Sequence, residues 1–286
     1  MSSISHTERS AAGHGPSFVV TAEPRHRLHS AMEDLAEGLR RWELWVTMGL
    51  QDVKRHYRRS VLGPIWLTLS LAILVAALGY LYSGLMGVSL HIYVPHLALG
   101  FLAWQFISGV LGDSCNVFIK NKGWLINVRT PLSLFVYQLV WQHLITMGHN
   151  ALVYLGVAVI FGIFAGWAGL LIIPVMAILI VNAIWVALLF GTLCARFRDI
   201  PQIVQSLLRI GFFVTPVMWM PGQLGDRAYL AYFNPFTYFV ELVRAPLLGE
   251  VPPVETWALA LAVTVIGWTL AAFFFTRFRG RVPYWV

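Results

Sequence analysis

Four basic residues, Lys54, Arg55, Arg58 and Arg59, stand just ahead of the first long apolar stretch of this 286-residue chain. Guanidinium forks in such a cluster can grip phosphate oxygens bidentately, and the same charges can anchor a chain to anionic lipid. Two further charges lie in apolar surroundings: Asp113, about two turns before the end of one stretch, and Arg209, about two turns into another. An ionisable group at membrane depth marks a functional site unless its side chain snorkels to the interface. Other chemistry is missing from the sequence. No G-x-x-x-x-G-K-[ST] loop is present to cradle a nucleotide, and no carboxylate pair sits in an apolar stretch to hold Mg²⁺. The nine histidines lack ligand spacing, since His143 and His149 are six apart where three or four would share a helix face. Cys115 and Cys194 indicate neither a disulfide nor a metal site. No residue is therefore assigned a catalytic or metal-binding role.

The elements that must position these residues are membrane spans. Residues 60–112 and 130–195 contain no Lys, Arg, Asp or Glu. A bilayer core about 30 Å thick needs roughly 20 apolar helical residues per crossing, so each stretch reads as two spans joined by a turn. Two more follow near 201–221 and 256–276. Placing alternate connections on one side collects 17 of the 20 Lys and Arg there. The bias predicts six transmembrane helices with both termini cytoplasmic. With 58% hydrophobic and 12% charged residues, the chain is a multi-pass membrane protein, and its net charge of +7 serves the lipid interface rather than nucleic acid.

Residues 1–29 lack apolar periodicity and read as a disordered cytoplasmic tail. Ser30 followed by Glu33 is a capping-box pattern that predicts a helix start. Met32, Leu35, Leu39, Trp42 and Val46 recur behind it at helical spacing, so 30–59 reads as an amphipathic helix along the cytoplasmic interface, or else a soluble helix packed on a partner. Residues 60–286 form the six-span domain. Thr215-Pro216 should kink or end the fifth span. Between 221 and 253 the chain is too short and polar for a clean span. Asn234-Pro235 predicts a capped helix from 235 to 248. Short helices re-entering from the external side, with polar Glu241 and Arg244 at a wet mouth, fit this segment; an aromatic belt lying flat at the headgroups is the alternative.

The run Gln51-Asp52-Val53-Lys54-Arg55-His56-Tyr57-Arg58-Arg59-Ser60-Val61-Leu62-Gly63-Pro64-Ile65-Trp66 resembles the junction of interfacial helix and first span in type 2 ABC permeases of polysaccharide export, which move polyprenyl-linked O antigen, teichoic acid or galactan. Arg196-Phe197-Arg198-Asp199-Ile200, Thr215-Pro216-Val217, Asn234-Pro235 and Tyr284-Trp285 follow in the family's order, so the resemblance covers about 40–286. His56 departs from the Arg usual at its position. Val243-Arg244-Ala245-Pro246-Leu247-Leu248-Gly249 and Arg281-Val282-Pro283-Tyr284-Trp285-Val286 look most similar to the actinobacterial branch that exports lipid-linked cell-wall galactan.

The resemblance implies a homodimeric channel in the bacterial inner membrane, driven by two copies of a cytoplasmic ABC ATPase that bind ATP and Mg²⁺, with no cofactor in this chain. On that reading Lys54, Arg55, Arg58, Arg59 and Arg209 meet the lipid carrier's pyrophosphate. Tyr80, Tyr82, Trp104, Phe106, Phe212, Phe213 and Trp219 are suited to line the sugar path by stacking and hydrogen bonding, packing against lipid or neighbouring helices being the alternative for each. Tyr232, Phe236 and Phe239 would form an external gate. Lys122, Trp124, Leu125, Ile126 and Arg129 would dock the ATPase, unless this apolar knob is a membrane anchor. An exporter of a drug or small lipid shares the architecture, and a membrane glycosyltransferase is the enzyme rival.

Overall fold

A computed structural model describes residues 24–56, 63, 65–128, 130–227 and 229–286. Among the described residues there are thirteen α-helices and no strand: α1 Pro24–Arg40, α2 Trp42–His56, α3 Ile65–Met86, α4 Leu90–Ser114, α5 Val117–Lys120, α6 Lys122–Asn127, α7 Leu132–Phe161, α8 Ile172–Arg196, α9 Ile200–Val214, α10 Tyr229–Tyr232, α11 Pro235–Leu247, α12 Val254–Phe278 and α13 Val282–Trp285. Among the described residues five helices are long and apolar enough to cross a membrane: α3, α4, α7, and α8 and α12 with their flanking turns. The 15 residues of α9 rise only about 22 Å, short of the roughly 30 Å of a hydrocarbon core. Its chain continues as a non-helical turn through Thr215 and Val217, both fully buried.

The bundle is organised around α4, which packs against α3, α7, α8, α9 and α11. Its buried face includes Tyr93, Leu97, Leu99, Phe101, Leu102 and Phe106. The α2 helix lies across α7, where Trp45 meets Tyr137 and Trp141 with ring centroids 6.1 Å apart in both cases. Two sequence-distant motif pieces meet where α13 packs on the end of α8. The Arg196 guanidinium stands 5.2 Å over the Trp285 ring, and Arg198 Nη2 donates to the Trp285 carbonyl at 3.2 Å.

The expected helix start at Ser30 is corrected: α1 begins at Pro24, so the last residues assigned to the tail are helical. Proline's fixed φ suits a first turn, and Ser30 Oγ accepts a hydrogen bond from Arg279 instead of capping its own helix. The interfacial helix is also two helices, broken at Arg41.

Candidate functional site

The sequence of α9 divides its surface into three stripes. Val204 and Leu208 are buried and belong to the cluster built on α4. Ile203, Leu207 and Ile210 form an exposed apolar stripe. Between them Gln202, Gln205, Ser206 and Arg209, at helical spacing, form an exposed polar stripe. The edge of that stripe and the facing side of α4 enclose a groove of about 570 Å³, lined by Trp104, Gln105, Ser108, Asp113, Gln205, Arg209, Phe212 and Phe213 among others. Its aromatic end is a cluster of offset rings. Phe212 lies 5.9 Å from Trp104 and 5.3 Å from Phe213, and Phe236 meets Trp104 edge-on at 5.6 Å. Such a groove offers ring faces for stacking at one end and amides, a hydroxyl and a guanidinium along its length.

Asp113 stands at the end away from these rings. Its carboxylate stands 3.2 Å from both Lys120 Nζ and His143 Nε2. On its far side lies a polar pocket of about 570 Å³ between α2, the α4–α6 connection and α7, lined by Asp52, Arg55, Asp113, Lys120, Asn121, Trp124, Gln138 and Gln142 with apolar neighbours. Asp52 is held there by Gln138 Nε2 and Arg55 Nη2, each at 2.5 Å. Asp113 is thus shared by the two cavities, which meet at this carboxylate.

Beyond the aromatic end of the groove the chain turns after α9. Proline at 216 carries no N–H, so α9 stops at Val214, and the carbonyls that follow must find partners away from water. They do. Arg244 Nη2 donates to the Pro216 carbonyl at 2.7 Å, the Tyr93 hydroxyl to the Met218 carbonyl at 2.6 Å, and His96 Nε2 lies 3.3 Å from the Trp219 carbonyl. Asn234 Nδ2 donates to Thr215 Oγ1 at 2.7 Å while its Oδ1 caps α11 by accepting from Phe236 N at 3.0 Å. The Thr215-Pro216 and Asn234-Pro235 pieces are therefore one hydrogen-bonded unit. Gly100 of α4 permits the approach, because a Cβ there would lie 2.6 Å from the Val217 carbonyl oxygen and 2.8 Å from Arg244 Nη2. Arg244 was expected at a wet mouth; it is instead 3% exposed, and braces the turn with Glu241 3.4 Å away. The α11 helix itself packs inside the bundle against α4, α8 and α12, unlike a flat belt.

The remaining residues singled out by sequence scatter. Trp104, Phe212, Phe213 and Arg209 share the groove. Tyr80 is 78% exposed on α3, away from any of these walls, and Tyr82 packs half-buried on the cluster around Val75. Phe106, two residues from Trp104, points to the other side of α4. There it lines a separate apolar cavity of about 230 Å³ with Phe236 and Phe239. The Trp219 indole donates to the Phe213 carbonyl at 2.9 Å. Tyr232 is exposed, Phe236 is half-buried and Phe239 is buried in the core, so these three do not line one opening. On α6, Lys122, Trp124 and Ile126 are exposed whereas Leu125 packs against the core. Lys54 and Arg55 are exposed at the end of α2; Arg58, Arg59 and Arg129 lie outside the described residues. Sequence reasoning passed over Gln105, Ser108 and Gln205. The signal was available for Gln205, in the polar spacing shared with Gln202, Ser206 and Arg209.

The ABC-2 type transporter family profile matches residues 43–248. An O-antigen export system permease protein RfbA of Myxococcus xanthus is 23% identical over 239 residues, which covers 82% of this chain and 92% of that protein. Two proteins of the same name from Klebsiella pneumoniae are 21% and 23% identical over 201 and 205 residues, covering 70% of this chain and 78% of theirs.

Proposed function

Because the chain belongs to the ABC-2 type transporter family, we propose that it is the channel-forming subunit of an ATP-driven exporter that carries polyprenyl-diphosphate-linked polysaccharide out of the cytoplasm, with cell-wall galactan as the substrate. The observation that carries this reading is the polar stripe of α9 beside the aromatic end of the groove. Sugar rings stack on aromatic faces without being held by one linkage, while Gln105, Ser108 and Gln205 can bond hydroxyls and Arg209 a phosphate oxygen. The relatives named for O-antigen export support a polymeric glycan.

Among the described residues the side chains of Gln202, Gln205 and Ser206 make no hydrogen bond and Arg209 makes one, from Nε to the Gln205 carbonyl at 3.3 Å, so most of the stripe's polar groups would go unsatisfied in hydrocarbon. A second copy of the chain facing this stripe would enclose it in a water-filled path, which supports a homodimer. Counting α9 and its turn as the fifth crossing gives six spans, with both termini on the cytoplasmic side of the inner membrane. Lys54, Arg55, Arg58 and Arg59 then stand where the carrier's pyrophosphate enters. The exposed Trp124 and Ile126, flanked by Lys122 and Arg129, offer an anchor to two copies of a soluble ATPase, which bind the ATP and Mg²⁺. The segment bearing Tyr232 and Phe236 caps the external end.

Depletion of the protein in its own cells tests the reading. Lipid-linked galactan should accumulate on the cytoplasmic face. Accumulation of another lipid-linked glycan would replace the substrate, and accumulation of none would overturn the exporter reading.

A further inference from the structure

Asp34 is a carboxylate only 8% exposed, on a cytoplasmic helix that does not cross the membrane. Its Oδ1 accepts from Ser133 N at 3.0 Å and its Oδ2 from Leu132 N at 3.2 Å. These are the first free amides of α7, a 30-residue helix, where an anion is favoured by both unsatisfied N–H groups and the helix dipole. The Ser133 hydroxyl donates back to the Asp34 carbonyl at 2.6 Å, and Tyr137 Oη donates to the Leu35 carbonyl at 3.1 Å. Gly38 brings the two backbones together; a Cβ there would lie 2.2 Å from Ser133 Oγ. On the other side Arg279, just past the end of α12, reaches Asp34 Oδ2 at 3.3 Å, Ser30 Oγ at 3.1 Å and the Ser30 carbonyl. One buried carboxylate thus joins α1 to the start of one span and the end of another.

This junction forms a wall of a cytoplasmic cleft of about 790 Å³, whose other walls include Leu125 and Ile126 of α6, Val128 just after it, Glu33 and Glu37 of α1, and Arg41 at the break between α1 and α2. A load applied to the cleft or to α1 has a short, hydrogen-bonded route to α7 and α12, with no loop between. We propose that Asp34 is a positioning residue for transport: with Arg279 and the α7 amides it forms a strut that carries displacement of the cytoplasmic helices to the spans. The inference rests on the exporter reading above, in which a partner ATPase supplies that displacement.

The test uses the full permease–ATPase complex reconstituted in vesicles with its lipid-linked glycan, comparing Asp34→Asn, Arg279→Lys and Ser133→Ala. Each is measured for co-purified ATPase, thermal stability, ATP hydrolysis and glycan moved per ATP. Asn keeps the shape of Asp34 but turns one acceptor into N–H groups, which face Ser133 N in the Oδ1 position or Leu132 N and Arg279 in the Oδ2 position. A strut predicts that Asp34→Asn retains the ATPase and hydrolyses ATP while glycan moved per ATP falls about fivefold or more. Arg279→Lys should fall less, and Ser133→Ala should fall in the same sense without altering any charge. An unchanged ratio in Asp34→Asn overturns the proposal. So does a wild-type ratio in Ser133→Ala where Asp34→Asn fails to assemble, or a fall in transport that only follows loss of thermal stability. If the wild-type complex itself moves no glycan, the exporter reading fails, which is a distinct result.

Discussion

Replacing Gly100 by Ala adds one methyl group at the most crowded helix–turn contact of the site. The new carbon would stand 2.6 Å from the Val217 carbonyl oxygen, 2.8 Å from Arg244 Nη2 and 3.2 Å from Val217 Cα. An unstrained carbon–oxygen contact is about 3.3 Å, so either α4 or the turn must retreat by more than half an ångström. Overpacking a filled interior costs about 1–3 kcal/mol. Displacing the guanidinium weakens its bond to the Pro216 carbonyl, a charge-assisted bond of about 1.5–3 kcal/mol. Alanine's helix propensity returns about 1 kcal/mol, so the sum remains destabilising by roughly 1–4 kcal/mol. Gly156 of α7 is the control, since nothing lies within 4 Å of its would-be Cβ; there Ala should be neutral or stabilising by about 1 kcal/mol. Thermal unfolding of the purified protein in detergent checks both. Gly100→Ala should melt several degrees lower than wild type, at about 2–4 °C per kcal/mol, and Gly156→Ala should not. Equal melting of the Gly100 variant and wild type would refute the close packing of the turn on α4.

Ile126→Asp should remove co-purified ATPase while membrane insertion persists, because Ile126 is 56% exposed and a charge at a buried anchor costs a few kcal/mol; Leu125→Asp should instead unsettle the permease itself, and retained ATPase in Ile126→Asp would exclude α6 as the docking point. Combining Gln205→Leu with Arg209→Gln should lower export by about tenfold or more at unchanged expression, corresponding to roughly 1.4 kcal/mol or more; full export would remove the polar stripe of α9 from the path. Single cysteines at Tyr232 and Phe233, both exposed, should change reactivity toward an impermeant thiol reagent when ATP and substrate are supplied, in a chain with Cys115 and Cys194 replaced. Identical labelling with and without turnover would argue for a static external segment.

Local signals survived the passage from sequence to structure. Pro216 ends α9 and Asn234-Pro235 starts α11, since each acts through its own backbone. Charge-free length marked the apolar helices for the same reason. Which way each aromatic points was not legible. Trp104 and Phe106 sit two residues apart on a mostly apolar helix, and packing sends one to the groove beside Gln105 and Ser108 and the other to a separate cavity. Arg244 looked like a surface charge because the carbonyl it serves lies 28 residues away. Ser30 and Glu33 matched a capping box, yet Ser30 is engaged by a residue 249 positions on. Asp34 was hidden likewise, its partners being 98 and 99 residues distant. The stripe on α9 was the exception: a polar face at membrane depth is readable wherever the opposite faces are apolar.

The central claim, outward ATP-driven passage of a lipid-linked glycan, is tested most directly by reconstituting the permease with its ATPase in vesicles that carry the lipid-linked galactan on the ATP-accessible face. A membrane-impermeant glycosidase added to that face reports how much substrate remains there. The account predicts that substrate becomes protected with time only when ATP and both subunits are present. Substrate that stays fully cleavable with ATP, or that becomes protected equally well without it, would contradict the account.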